Sequence, residues 1–133
     1  MKAKPEGKRN RPRNLSKNPA VGDGEPNWSP DGTKITFKRV QAGIPRGEIY
    51  RMDKDGTNQV RLTQNQVDDS LPAWSPDGTK IAFTSYRVHF WAKDPTWEIW
   101  TMDSSDGNPE SQLTLTNPAS EASWGPDWAL RIE

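Results

Sequence analysis

Trp28-Ser29-Pro30-Asp31-Gly32-Thr33-Lys34-Ile35 returns unchanged, 46 residues later, as Trp74-Ser75-Pro76-Asp77-Gly78-Thr79-Lys80-Ile81. A third, altered copy follows after another 50 residues as Trp124-Gly125-Pro126-Asp127-Trp128. Ordered matches continue downstream of each copy. Phe37 aligns with Phe83, Glu48-Ile49-Tyr50 with Glu98-Ile99-Trp100, Met52-Asp53 with Met102-Asp103, and Leu62-Thr63 with Leu113-Thr114. Self-similarity at a fixed period of this length marks a repeat architecture, each unit one supersecondary element.

Each unit reads as four short strands. The first ends at the Trp, near 25–28 and 71–74. Ser-Pro-Asp-Gly is a tight turn: Pro presets φ, Asp bonds its own backbone and Gly accepts positive φ. The second strand alternates, as Lys34-Ile35-Thr36-Phe37 and Lys80-Ile81-Ala82-Phe83. The third is Glu48–Met52 and Glu98–Met102, with hairpin turns at Asp55-Gly56 and Asp106-Gly107. The fourth is Gln59–Thr63 and Glu110–Thr114. No stretch carries helical periodicity. Four strands per period of roughly 40–50 residues is the signature of a β-propeller blade, so the expected fold is all-β.

Pro26-Asn27-Trp28-Ser29-Pro30-Asp31-Gly32 and Pro72-Ala73-Trp74-Ser75-Pro76-Asp77-Gly78, each followed by an alternating strand, a Glu-Ile-aromatic strand and a Leu-Thr strand, resemble the TolB-type, WD-like propeller repeat. The resemblance covers about residues 13–128. It implies a non-enzymatic protein-binding module in a periplasmic or secreted setting. The alternative it implies is a segment of the gating propeller of a prolyl-oligopeptidase-class serine peptidase without its hydrolase domain. Trp28, Pro30, Asp31, Gly32, Trp74, Pro76, Asp77, Gly78 and Trp124 are structural repeat residues on this reading, with Trp28 and Trp74 packing between blades.

The units divide the chain into a basic, disordered tail over 1–12 and a partial propeller over 13–133. Blade 1 is expected over about 24–63, blade 2 over about 70–114 and the start of a third over about 120–133. Asn14-Leu15-Ser16 aligns with Arg61-Leu62-Thr63 as an orphan outer strand. A closed propeller needs at least about four blades. The chain therefore reads as a piece of a larger propeller, with open blade faces through which copies could also self-associate.

Composition narrows the function classes. Ile, Leu, Val and Phe make up 20 of 133 residues, below the roughly 20% of an ordinary core, so the core must be thin and aromatic. Seven Trp and a net charge of zero argue against a wholly disordered chain. No apolar run approaches the roughly 18 residues of a spanning helix, so membrane insertion is not expected. The basic N-terminal stretch lacks the apolar segment of a secretion signal. Zero Cys removes disulfide and thiol chemistry. Residues 1–20 hold seven basic side chains against Glu6 but no aromatic, so nucleic acid is not an expected partner.

Candidate chemistry is sparse. Asp31 and Asp77 are turn-formers rather than paired acids. Asp53-Lys54-Asp55-Gly56-Thr57-Asn58 has its Gly at position 4 of a would-be calcium loop, and Gln64 stands where a bidentate Glu belongs. His89 is the single His, and no Gly-x-Ser-x-Gly elbow accompanies it. No catalytic, metal or cofactor site is expected. The distinctive piece is the connection from Tyr86 to Thr96, with Tyr86, His89, Phe90 and Trp91, where blade 1 has the plain Val40–Arg46. Strand order puts this connection at the same end as the inter-blade link Gln64–Leu71 with Asp68 and Asp69. Aromatic anchors beside carboxylates make Tyr86, His89, Phe90, Trp91, Asp68 and Asp69 the candidate partner-binding set, the partner being a protein.

Overall fold

A computed structural model describes residues 11–88 and 94–114. It contains eight strands: β1 Val21–Trp28, β2 Lys34–Gln41, β3 Gly47–Asp53, β4 Val60–Arg61, β5 Asp68–Trp74, β6 Lys80–Arg87, β7 Thr96–Asp103 and β8 Ser111–Gln112. They form two four-stranded antiparallel sheets in the orders β1-β2-β3-β4 and β5-β6-β7-β8. Each sheet is a complete blade. The third blade start over 120–133, Trp124 and the tail over 1–10 lie outside the described residues.

The repeated octapeptide builds the same turn twice. The Asp31 carboxylate accepts from Ser29 Oγ (2.7 Å), Thr33 N (3.0 Å) and Thr33 Oγ1 (2.8 Å), while Lys34 N donates to Ser29 Oγ. Asp77 is held identically by Ser75 and Thr79. Gly32 and Gly78 sit at φ 71° and 74°, as the turn demands. These hydrogen bonds, Ser29 and Ser75 first, hold Asp31 and Asp77 down to about 2.

The Leu-Thr pair at each outer strand also has a physical reason. Leu62 N donates to Ile49 O, but Ile49 N then donates to Thr63 Oγ1 (2.9 Å) rather than to a carbonyl. The same hydroxyl donates to Glu48. Blade 2 repeats this with Leu113, Ile99, Thr114 and Glu98. A hydroxyl both accepts and donates, so the Thr ends the ladder without orphaning an amide. This shortens β4 and β8 to two residues each, against the five expected.

The inner strands are longer than the sequence suggested. Val21–Gly24 pairs with Lys38–Gln41, and Asp68–Ser70 pairs with Thr84–Tyr86. Bulges interrupt both, between Gly24 and Asn27 and between Ser70 and Ala73, with Glu25 and Leu71 at φ 52° and 53°. Polar and Gly residues hid these halves from any alternation pattern. Asp68 and Asp69 thus belong to a strand, not to a free link.

Apolar side chains gather between the blades. Ile49 and Leu62 of blade 1 pack with Ile81, Phe83 and Met102 of blade 2, with Trp74 and Trp100 against them. The opposite face of blade 1 has a smaller cluster of Ile35, Phe37 and Met52, covered by Tyr50 and Leu15. Leu15 stands in for an outer strand. A Cβ on Gly56 would overlap the Leu15 carbonyl, as one on Gly107 would overlap that of Leu62. Asn14–Ser16 is not itself a strand, yet it occupies the position its alignment assigns. Trp28, expected to pack between blades, is the correction: Trp74 lies against the inter-blade cluster, but Trp28 is 55% exposed, because no inner strand lies in front of blade 1 among the described residues.

Candidate functional site

Antiparallel order sends the β2–β3 and β6–β7 connections and the β4–β5 link to one end of the blades, opposite the Ser-Pro-Asp-Gly turns. This loop end holds the candidate residues that the structure describes. Tyr86, opposite both Asp68 and Trp97 in the sheet, lays its ring on Trp97 at 5.0 Å between centroids. It remains 39% exposed, and Val88 just beyond it is 67% exposed. His89, Phe90 and Trp91 lie outside the described residues.

The two acids part ways. Asp68 is an inter-blade tie: it accepts from Gly47 N (2.6 Å) and pairs with Lys38 Nζ (3.0 Å), both of blade 1. Asp69 is fully buried and accepts from Ser85 Oγ and Asn65 Nδ2. Burial raises its pKa against these hydrogen bonds. The expectation that Asp69 forms part of a contact surface is therefore corrected: it points into the protein because alternation on β5 turns it away from the side that Asp68 uses.

Beside these acids runs a repeated arginine platform that the sequence reading missed. In blade 1, Arg39 pairs with Asp23 (Nε to Oδ1 2.7 Å), donates to Gln59 and lies 4.7 Å from the Tyr50 ring centroid. In blade 2, Arg87 donates to Glu110 (2.6 Å) and to Ser85 Oγ, and lies 3.6 Å over Trp100. Burial pulls the Asp23 carboxyl up, but the Arg39 and Ser16 hydrogen bonds outweigh it and leave it lowered. The Asp23 hydrogen bond raises Arg39. Arg39 aligns with Ser85, whereas Arg87 is two residues further on; the same side of the strand supplies the cation by a different position. That shift is why alignment alone did not reveal the pair.

A small cavity of about 110 Å³ opens at this end of blade 1, lined by Arg39, Arg46, Glu48, Tyr50, Arg61 and Asn65 among others. Burial raises Glu48, with Thr63 and Arg61 opposing. Arg61 reaches Glu48 at 2.8 Å, and Arg46 donates to the Gln66 carbonyl. Among the described residues, no group of three or more His, Asp or Glu side chains converges as metal ligands. This end presents an exposed aromatic and Val88 above a rim of paired charges.

Two adjacent four-stranded antiparallel sheets, joined through their faces around a shared apolar seam, have the arrangement of consecutive β-propeller blades. The model of the TolB beta propeller domain family matches residues 9–130, and the chain belongs to that family. A TolB-type protein of Agrobacterium tumefaciens is 29% identical, with a TM-score of 0.61 over 77% of this chain and 33% of its own length. TolB from Acinetobacter baumannii is 27% identical, with a TM-score of 0.57 over 77% of this chain and 23% of its own. The AtxE2 isopeptidase, 16% identical with a TM-score of 0.51, shares the fold alone. The chain thus spans about a third or less of these structures. A search of curated proteins finds no match.

Proposed function

We propose that the chain is a non-enzymatic protein-binding propeller module whose contact surface is the loop end of blade 2. The observation that carries this reading is the Tyr86–Trp97 pair, with Tyr86 and Val88 exposed above the Asp68 tie. Interfaces are built this way, with an aromatic centre and a polar rim. His89, Phe90 and Trp91 follow in sequence along the same connection. Asp69 supports it from below rather than touching the partner. Likeness to TolB proteins supports a periplasmic or secreted setting and a protein partner. Among the described residues no helix is long and apolar enough to cross a membrane.

Photo-crosslinking tests the reading. A photoreactive phenylalanine at Tyr86 should capture a discrete protein adduct in cells, and one at Lys54, at the opposite end, should not. Tyr86→Ala should weaken binding of that captured partner at least about tenfold, the loss expected for an aromatic anchor, with the thermal transition kept. Equal crosslinking from both positions would overturn the assignment.

A further inference from the structure

The cavity at the loop end of blade 1 holds more cations than the blade itself requires. Glu48 is an acid common to both blades, and its counterpart Glu98 shows what holds it in place. Glu98 accepts from the hydroxyls of Thr114 and Thr96. In blade 1 the sheet pairs Arg39 with Glu48 and Arg61 with Tyr50; in blade 2 it pairs Ser85 with Glu98 and Gln112 with Trp100. Arg46, two residues before Glu48, likewise has Thr96 as its counterpart. Blade 2 therefore builds the same site with Ser85, Thr96 and Gln112, and with Arg87 as its one cation over Trp100. Blade 1 has three arginines there, so at least two are surplus to the blade.

Each of the three also keeps donors without a hydrogen bond among the described residues. Arg39 directs Nε and Nη2 to Asp23 and Gln59, which leaves Nη1. Arg61 directs Nε to the Thr63 carbonyl and Nη2 to Glu48, which leaves its own Nη1. Arg46 commits only Nη1, to the Gln66 carbonyl. The Arg39 side chain is 8% exposed and clamped between Asp23 and the Tyr50 ring, so its remaining donor is held in place before any ligand arrives.

Charge and shape select the ligand. Glu48 lies in the lining and Asp23 on Arg39, so three cations face two carboxylates. Asp69, the next acid, is bonded by Ser85 and Asn65 and has Arg87 as its nearby cation. One positive charge is left over, which a monoanion balances. A phosphate, at about −1.5 to −2, would exceed it beside Glu48. Planar guanidinium forks match a planar carboxylate, and a cavity of about 110 Å³ takes such a group with its first carbons.

We infer that this cavity binds a carboxylate of a partner polypeptide through Arg46, Arg61 and Nη1 of Arg39. A chain end and an acidic side chain offer the same group. The site lies on blade 1 and stands whether or not Tyr86 of blade 2 is a contact.

The test uses the full 133-residue chain labelled with nitrogen-15 arginine. The Nε–H signals of Arg39, Arg46 and Arg61, assigned through single Arg→Lys variants, are followed by NMR. Four probes are titrated: N-acetylleucine for a chain end, N-acetylglutamate α-amide for a side chain, N-acetylleucinamide without a carboxylate, and inorganic phosphate. At least one carboxylate probe should move the three signals saturably, with affinity at least about tenfold above phosphate and the carboxylate-free amide. The tighter of the two carboxylates identifies the source. Arg46→Thr/Arg61→Gln, which carries the residues of blade 2, should lose at least about tenfold in that affinity. If this variant fails to fold, Arg46→Thr alone serves, since Arg46 is exposed, and it should weaken binding at least about threefold. Silence from both carboxylates, phosphate or the carboxylate-free amide binding as tightly as they do, or wild-type affinity in the folded variant would each overturn the inference.

Discussion

Trp28 and Trp74 begin identical octapeptides, yet truncating them should have unequal consequences. Trp74 packs on the Ile49–Leu62–Ile81–Phe83–Met102 cluster and donates its Nε1 to the Asn27 carbonyl. Removing a core Trp costs about 3–5 kcal/mol. Trp74 is only partly buried, so the lower end applies, about 3 kcal/mol, including the hydrogen bond left unmade at Asn27. Trp28 is 55% exposed, and truncating such a residue stays within about 0.5 kcal/mol. A small domain has about 5–15 kcal/mol in total, so Trp74→Ala removes a large share of it and Trp28→Ala almost none. Urea unfolding followed by far-ultraviolet circular dichroism measures both. The Trp74→Ala midpoint should fall sharply with the slope kept, while the Trp28→Ala curve should overlay the parent. Equal losses in the two variants would refute the claim that the seam between the blades, rather than the motif, sets the worth of the Trp.

Two further outcomes follow from the hydrogen bonding. Thr63→Val keeps shape but strips the acceptor from Ile49 N and the donor from half-buried Glu48, so urea unfolding should show a loss of about 2–6 kcal/mol, from two groups at about 1–3 each. Asp31 and Asp77 are held near 2, below the ordinary carboxylate range, so their contribution is full above about pH 4 and is lost as pH falls towards 2. Asp31→Asn/Asp77→Asn should flatten the acid limb of the urea midpoint against pH. Glu48 and Asp69, raised by burial, act with the opposite sign: they favour the fold at acid pH and less so as pH climbs through the raised values.

The architecture was legible because propeller blades repeat and because local chemistry repeats with them. Ser-Pro-Asp-Gly-Thr closes its turn almost entirely with hydrogen bonds among its own residues, so the letters alone determine it. The Leu-Thr pairs were visible as matches, though their reason, a hydroxyl replacing a carbonyl in the ladder, needed the register of β3 against β4. The long inner strands escaped notice since Val21–Gly24 and Asp68–Ser70 carry no alternation. What holds them is partners far away in the chain, Arg39 for Asp23 and Ser85 for Asp69.

Distance in sequence separates what the residues determined from what only packing could. Asp68 and Asp69 are neighbours of one type, indistinguishable in composition, and successive side chains on a strand face opposite ways. One ties two blades through Lys38 and Gly47, and the other is sealed beneath Ser85. The two tryptophans share eight identical letters, and among the described residues a preceding blade stands before Trp74 and none before Trp28. A motif fixes the turn that its own atoms close. Burial is a property of the neighbouring sheet, and so the seam, the arginine platforms and the exposed face of Trp28 were decided by the tertiary structure alone.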